Sequence, residues 1–241
     1  MNVSDDARDA TLDDVTGAIT AMAERVFASL DTIASALSSL WNGLEDKGVR
    51  ATSEDLAVLR DVVIAELQHQ SRLLNGAGVV IDEDRLADCP RYLEWWRPDE
   101  ERGVSQKLNL DLNPQSEYFY DYSTMAWFAG PRDQGTRWIH GPYLDFTCAD
   151  LNVCTFALPV ASQDGVFLGI AGADAPVARI DAELLPKFQA SRRLMALVNA
   201  EGRIIVANHA DHVAGSKIKA HNGTRRARAV PGTPWTLVTL D

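Results

Sequence analysis

The chain has 241 residues and a formal net charge of -11, and 46% of it is hydrophobic. That is enough apolar material for one sizeable core. The acidic balance argues against nucleic acid, whose binding rests on clustered Lys and Arg, and no stretch approaches the roughly 18 apolar residues of a membrane span. The opening residues Met1-Asn-Val-Ser-Asp-Asp are acidic where a secretory leader is basic, so a cytoplasmic protein is expected. Cys89, Cys148 and Cys154 are sparse and odd in number, which fits a reducing compartment and buried small side chains.

The first 75 residues read as a helical pair. Leu12, Val15, Ile19, Met22 and Val26, then Leu30, Ile33, Leu37, Leu40 and Leu44, fall at helical spacing, and Asn42-Gly43 or Lys47-Gly48 can end the helix. Thr52, with Asp55 three residues on, starts a second helix that Leu56, Leu59, Val63, Leu67 and Leu74 carry to Asn75-Gly76. The first stripe is longer than one small sheet covers, so a two-fold homodimer is expected to bury part of it.

From Gly76 the texture changes to short apolar runs broken by Gly, Pro, Asp and Asn. Strands are predicted at 78–81, 92–97, 107–112, 142–146, 153–160, 166–173, 194–199, 203–208 and 235–240. Tight turns are expected at Gly202 and at Asp164-Gly165. Shorter helices are expected near 123–129 and 178–191, the second interrupted by Pro186. The sum is an α+β architecture: a helical pair, 1–75, in one domain with a mainly antiparallel sheet and its flanking helices, 76–241.

The residues that could carry chemistry are concentrated between Tyr118 and Asp174. Tyr118, Tyr120, Tyr122, Trp127, Phe128, Trp138 and Tyr143 are interspersed with Asp121, Asp145, Asp150 and Asp174. Aromatic faces and isolated carboxylates suit an organic cation. The same aromatics also read as ordinary core with polar tips. His209 and His212 lack the third ligand or base of a zinc helix, so no metal is expected. Cys148 or Cys154 beside His140 could be a nucleophile, and Asp145 with Asp174 an acid–base pair. A carboxylate pair serving a cation is the simpler reading. The run Lys217, Lys219, Arg225, Arg226 and Arg228 reads as a solvated loop and edge strand, or as an anion site.

Several runs together resemble the ligand-binding core of Cache (PDC-type) sensor domains. These are Tyr118-Phe-Tyr-Asp-Tyr-Ser-Thr-Met-Ala-Trp-Phe, Trp138-Ile-His-Gly-Pro-Tyr-Leu-Asp, Thr155-Phe-Ala-Leu-Pro-Val, Gly165-Val-Phe-Leu-Gly-Ile-Ala-Gly-Ala-Asp and Pro234-Trp-Thr-Leu. The resemblance covers nearly the whole chain. It implies a long N-terminal helix followed by a PAS-like antiparallel sheet with a ligand pocket against one face.

In the amino-acid-binding branch an Arg-x-Trp-Tyr element holds the ligand carboxylate, and a Tyr-x-Asp strand with a later Asp holds the amino group. By resemblance Trp127, Tyr143, Asp145 and Asp174 take these places. Met125 stands where the Arg would be and Phe128 where the Tyr would be. Met cannot form the bidentate clamp of Arg, which shifts the expected ligand towards amines lacking a carboxylate. Arg132 or Arg137 could restore an anion clamp from the following loop.

The expectation is a cofactor-free sensor domain that binds a small amine or amino-acid-like metabolite. Its lining would be Tyr120, Tyr122, Trp127, Phe128, Trp138, Tyr143, Asp145 and Asp174, and it would signal through a separate output protein. The alternative is a small enzyme using the same carboxylates.

Overall fold

The computed structural model describes residues 3–99, 104–146, 151–218 and 226–240, with side chains from Thr11 onward. The expected stripe forms one helix, α1 (Val3–Glu45), of 43 residues. From Leu12 to Leu37 its stripe residues are at most 3% exposed within the chain's own fold. The chain's own fold thus covers the stripe as far as Leu37, while Leu40 and Leu44 are only partly covered.

Thr52 makes the expected capping box with Asp55, but the helix it starts is a single turn, α2 (Ser53–Leu56), followed by α3 (Leu59–His69). The second helix stops short of Asn75 because sheet pairing takes over there: the Asn75 N–H donates to the Asp174 carbonyl at 2.8 Å, and β1 (Gly76–Ile81) begins.

Next come β2 (Tyr92–Asp99), β3 (Val104–Lys107), α4 (Ala126–Gln134), β4 (Trp138–Asp145), β5 (Leu151–Ala161) and β6 (Phe167–Pro176). They are followed by α5 (Val177–Ala190), β7 (Met195–Val198), β8 (Ile204–Ala207), β9 (Ala227–Ala229) and β10 (Thr236–Thr239). Six strands form a sheet in the order β3-β2-β1-β6-β5-β4, and four form a second in the order β8-β7-β10-β9. Every pairing with a resolved register is antiparallel.

Contacts divide the chain into two compact units. The six-stranded unit comprises 26–140 and 155–174, and the four-stranded unit 1–25, 141–154 and 175–241.

In the six-stranded unit, Phe27 of α1 packs edge-on against Phe156 of β5, with ring centroids 5.4 Å apart. Side chains alternate along a strand, so Thr155 faces away from α1. On β2, Trp96 bonds Glu94 through its indole N–H at 2.7 Å and lies under the Arg60 guanidinium of α3. Trp95 therefore takes the opposite face of β2.

One predicted strand is misplaced here. The run 107–112 is not a strand: after Lys107 the Leu108 N–H adds one bond to the Trp95 carbonyl, and the chain then turns. Asp111 accepts from the Asn113 N–H and Asn113 from the Gln115 N–H, both at 3.0 Å. Such local side-chain bonds compete with a sheet ladder. The true strand lies earlier, at 104–107, on the sheet edge.

In the four-stranded unit, Ala196, Val198 and Ile204 form a buried cluster flanked by Ala207, Ile218, Val238 and Leu240. The amphipathic α5 packs on β8, burying Val177, Ile180, Leu184 and Phe188. The N-terminal part of α1 is tied to this unit by the ion pairs Arg25–Glu183 and Asp13–Arg228. The basic run proves to hold the edge strand β9; its Lys219 and Arg225 lie outside the described residues. The two expected turns are in place: Gly202 has φ +73° and Gly165 has φ +78°.

Candidate functional site

In the six-stranded unit the sequence-selected aromatics divide into two groups. Tyr122 and Phe128 are fully buried and pack edge to face at 5.2 Å. The Tyr122 hydroxyl donates to the Ile81 carbonyl at 2.7 Å and accepts from the Tyr92 N–H, so it is engaged with the backbone at the end of the β1–β2 pair. Phe128 also meets Trp127 at 6.2 Å and Phe167 at 5.9 Å. These two rings anchor α4.

The second group keeps polar or aromatic surface in reserve. Tyr120 is half-buried, at the end of a loop closed by its N–H on the Asp111 carbonyl. Trp127 is 9% exposed at the start of α4. Trp138 lies against α4 so closely that a Cβ on Gly130 would stand 2.4 Å from its Cε2. The Trp138 indole N–H is buried and donates to no described residue. Such an orphan donor is rare in folded interiors.

Asp174 stands on β6, opposite Gly76 of β1, and accepts from the Thr155 hydroxyl at 2.7 Å. The bond to Thr155 places its carboxylate on the sheet face away from Phe156 and α1. The strand continues to Pro176, and α5 begins there without a side-chain cap, so Asp174 does not serve as that helix's N-cap.

The remaining candidates stand on the part of β4 that groups by contacts with the four-stranded sheet, although β4 is itself the edge strand of the six-stranded one. On β4, Tyr143 is half-buried and Asp145 is 7% exposed. In the same unit the Asn199 side-chain amide donates to the Gly141 carbonyl at 2.8 Å, joining β4 to the turn after β7.

The positions bordering the expected carboxylate clamp are also defined. Met125 precedes α4 and is 36% exposed. Arg132 bonds Asp133 at 2.9 Å and the Ser123 carbonyl at 3.2 Å, and Arg137 stacks over Phe27 of α1 at 4.8 Å. Asp121 caps the 3-10 turn at 122–124 through the Ser123 N–H. Cys154 is buried, Cys89 is partly so, and burial pushes the Cys89 thiol up. Cys148 and Asp150 lie outside the described residues. Among the described residues no three His, Cys, Asp or Glu side chains gather as a metal would require, and no helix is long and apolar enough to cross a membrane.

One residue beside Asp174 escaped the sequence reading. Trp95 of β2, 6% exposed, is paired with Gly78 of β1, and its indole lies across β1 towards β6. The signal for it was available in the glycines Gly76 and Gly172, which free one sheet face for a large ring.

No protein-family model matches the chain, and no curated protein matches it in sequence. Solved structures do match in fold. The periplasmic sensory domain of the Campylobacter jejuni chemoreceptor Tlp1 superposes with a TM-score of 0.64 at 10% identity, over 99% of this chain and 95% of that one. The ligand-binding domain of the C. jejuni chemoreceptor Tlp3 in complex with L-norvaline gives 0.56 at 14% identity, over 99% and 94%. That of the Pseudomonas aeruginosa amino acid chemoreceptor PctC in complex with GABA gives 0.55 at 17% identity, over 94% of each chain. The architecture is that of these Cache-type sensory domains.

Proposed function

We propose that this chain, which carries the Cache-type sensor fold, binds a small amine or amino-acid-like metabolite and passes the occupancy on to a separate signalling partner. The observation that carries the reading is Asp174. It is a half-buried carboxylate held by Thr155 on the face of the six-stranded sheet away from α1, the face that Trp95 shares. A fixed carboxylate in a partly dry, aromatic setting recognises a protonated amine by charge-assisted hydrogen bonds and cation–π contact. Trp127, Trp138 and Tyr120 provide further aromatic surface in the same unit, with Tyr122 and Phe128 backing them. Met125 supports a ligand whose ammonium matters more than any carboxylate.

Two of the solved structures of this fold are described with GABA and L-norvaline bound, which supports an amine-bearing ligand here. The free thiol of Cys89 supports a reducing, cytoplasmic compartment, which cell fractionation tests. The reading itself is tested by a thermal-shift screen of amines, amino acids and short carboxylates on the purified protein. A hit recovered unchanged after incubation supports binding over turnover. A screen in which no amine shifts the transition rejects the proposal.

A further inference from the structure

We propose that Trp95 is the wall of this amine site, its indole face receiving the ammonium that Asp174 neutralises. The inference rests on the reading of Asp174 given above and adds a residue that neither the motifs nor the resemblance pointed to.

The argument starts from strand register. Trp95 of β2 faces Gly78 of β1, Gly78 faces Gly172 of β6, and Gly76 faces Asp174. Directly opposed residues share a face, and residues two apart on a strand share it too. Trp95, Gly76, Gly78, Gly172 and Asp174 are therefore on one face, the one α1 leaves free. Gly76 and Gly172 let the indole lie down on the sheet. A Cβ on Gly76 would come within 2.7 Å of Trp95 Nε1, and one on Gly172 within 3.1 Å of Cζ3. The ring thus bridges β1 and reaches β6, one residue pair from Asp174. Facing Cβ positions lie about 4.5–5.5 Å apart, and at Gly76 there is no side chain to stand between the indole edge and the carboxylate.

Trp96, its neighbour on the other face, bonds Glu94 and stacks under Arg60, whereas the 6%-exposed Trp95 indole lies over Gly76 and Gly172. Arg97, whose Cγ stands 3.4 Å from the same Gly76 position, brackets the indole from the β2 side. A Trp face beside a carboxylate selects an ammonium group over a neutral head of equal size.

The test uses the full chain with putrescine, γ-aminobutyrate, L-arginine and L-norvaline as probes and 1,4-butanediol as the uncharged control, read by calorimetry. For whichever amines bind the parent, Trp95→Leu is expected to weaken affinity on the order of tenfold and Trp95→Phe about threefold, with butanediol silent throughout. In indole-¹⁵N-labelled parent, the Nε1–H resonance missing from Trp95→Phe is expected to move on saturation with the amine. This readout does not depend on Trp95→Leu folding. Equal affinity in a folded Trp95→Leu, or a stationary Trp95 resonance while Asp174→Ala abolishes binding, overturns this inference and leaves the function standing. No amine binding to the parent overturns both.

Discussion

Thr155 Oγ1 donates to a carboxylate oxygen of Asp174 at 2.7 Å, joining β5 to β6 on the sheet face away from α1. The bond fixes the carboxylate's rotamer on that face. Asp174→Ala is expected to reduce amine affinity by about 2–5 kcal/mol, because a partly desolvated cation loses its charged partner. The empty protein should lose only about 0.5–1.5 kcal/mol, the worth of the Thr155 bond. Thr155→Val should keep the charge and weaken binding by a smaller factor. Calorimetry and denaturant melts on both variants separate the two effects.

Ligand class follows from what stands around that carboxylate. With Met125 in place of a guanidinium, and Arg132 engaged by Asp133 and the Ser123 carbonyl, amines should raise the melting temperature more than simple carboxylates do. A ligand at a hundredfold excess over its Kd stabilises by about 2.7 kcal/mol. A shift seen only with carboxylic acids would reverse this ordering and point to an arginine as the principal contact.

On the other face of β2, Glu94 is 1% exposed and receives bonds from the Tyr92 hydroxyl, the Trp96 indole and Lys107. Burial first, and the bond to Glu94 second, hold the Tyr92 phenol well above its ordinary value, so it stays a donor. Lys107 supplies the compensating charge from β3. Lys107→Met should destabilise the fold by about 1–3 kcal/mol, leaving a buried carboxylate short of a partner. Adding Glu94→Gln in the same chain should recover part of the loss. Urea denaturation of the two variants and the double variant measures the coupling.

The start of α2 is acid-sensitive. Asp55 is held below its ordinary value of 3.8 by the Thr52 hydroxyl and then the Thr52 N–H, and Asp88 likewise by the Ser53 hydroxyl and N–H. A carboxylate whose folded pKa is depressed contributes stability that is present above its unfolded value and is lost as pH falls through the folded one. The parent's melting temperature should therefore drop from about pH 4 downward. In Asp88→Asn that drop should be shallower, with a lower plateau above pH 5. Melting curves between pH 2.5 and 6 check both.

The fold was legible where side-chain periodicity is imposed by one continuous surface. The α1 stripe, the capping box at Thr52 and the turns at Gly165 and Gly202 follow from spacing and backbone chemistry that act within a few residues. The strand misplaced at 107–112 failed because alternating Leu, Asn and Asp imitate a ladder while Asp111 and Asn113 bond their own backbone. At the candidate site, the place of Asp174 near the end of β6 was readable from the apolar run before it. The separation of the rings into anchors, Tyr122 and Phe128, and reserve surface, Trp127 and Trp138, was not, since it depends on which hydroxyl or N–H finds a backbone partner. Trp95 was hidden for a related reason. Its placement on the sheet depends on glycines on two other strands, and no window along the chain brings 76, 95 and 172 together.

The division of the chain has a practical consequence. Each unit draws on separate stretches: α1 gives residues up to 25 to one and from 26 to the other, and the chain crosses again near 140, 154 and 174. Neither unit can be excised as one uninterrupted piece of polypeptide. A truncation that starts at residue 26 strips Leu12, Val15, Ile19 and Met22 from the interior they help to fill. A fragment ending at 174 leaves β7 through β10 unmade. Proteolytic nicking or a fusion joint is therefore best tolerated at the surface turns, around Gly165 or Gly202, and least along the first helix, whose continuity both halves share.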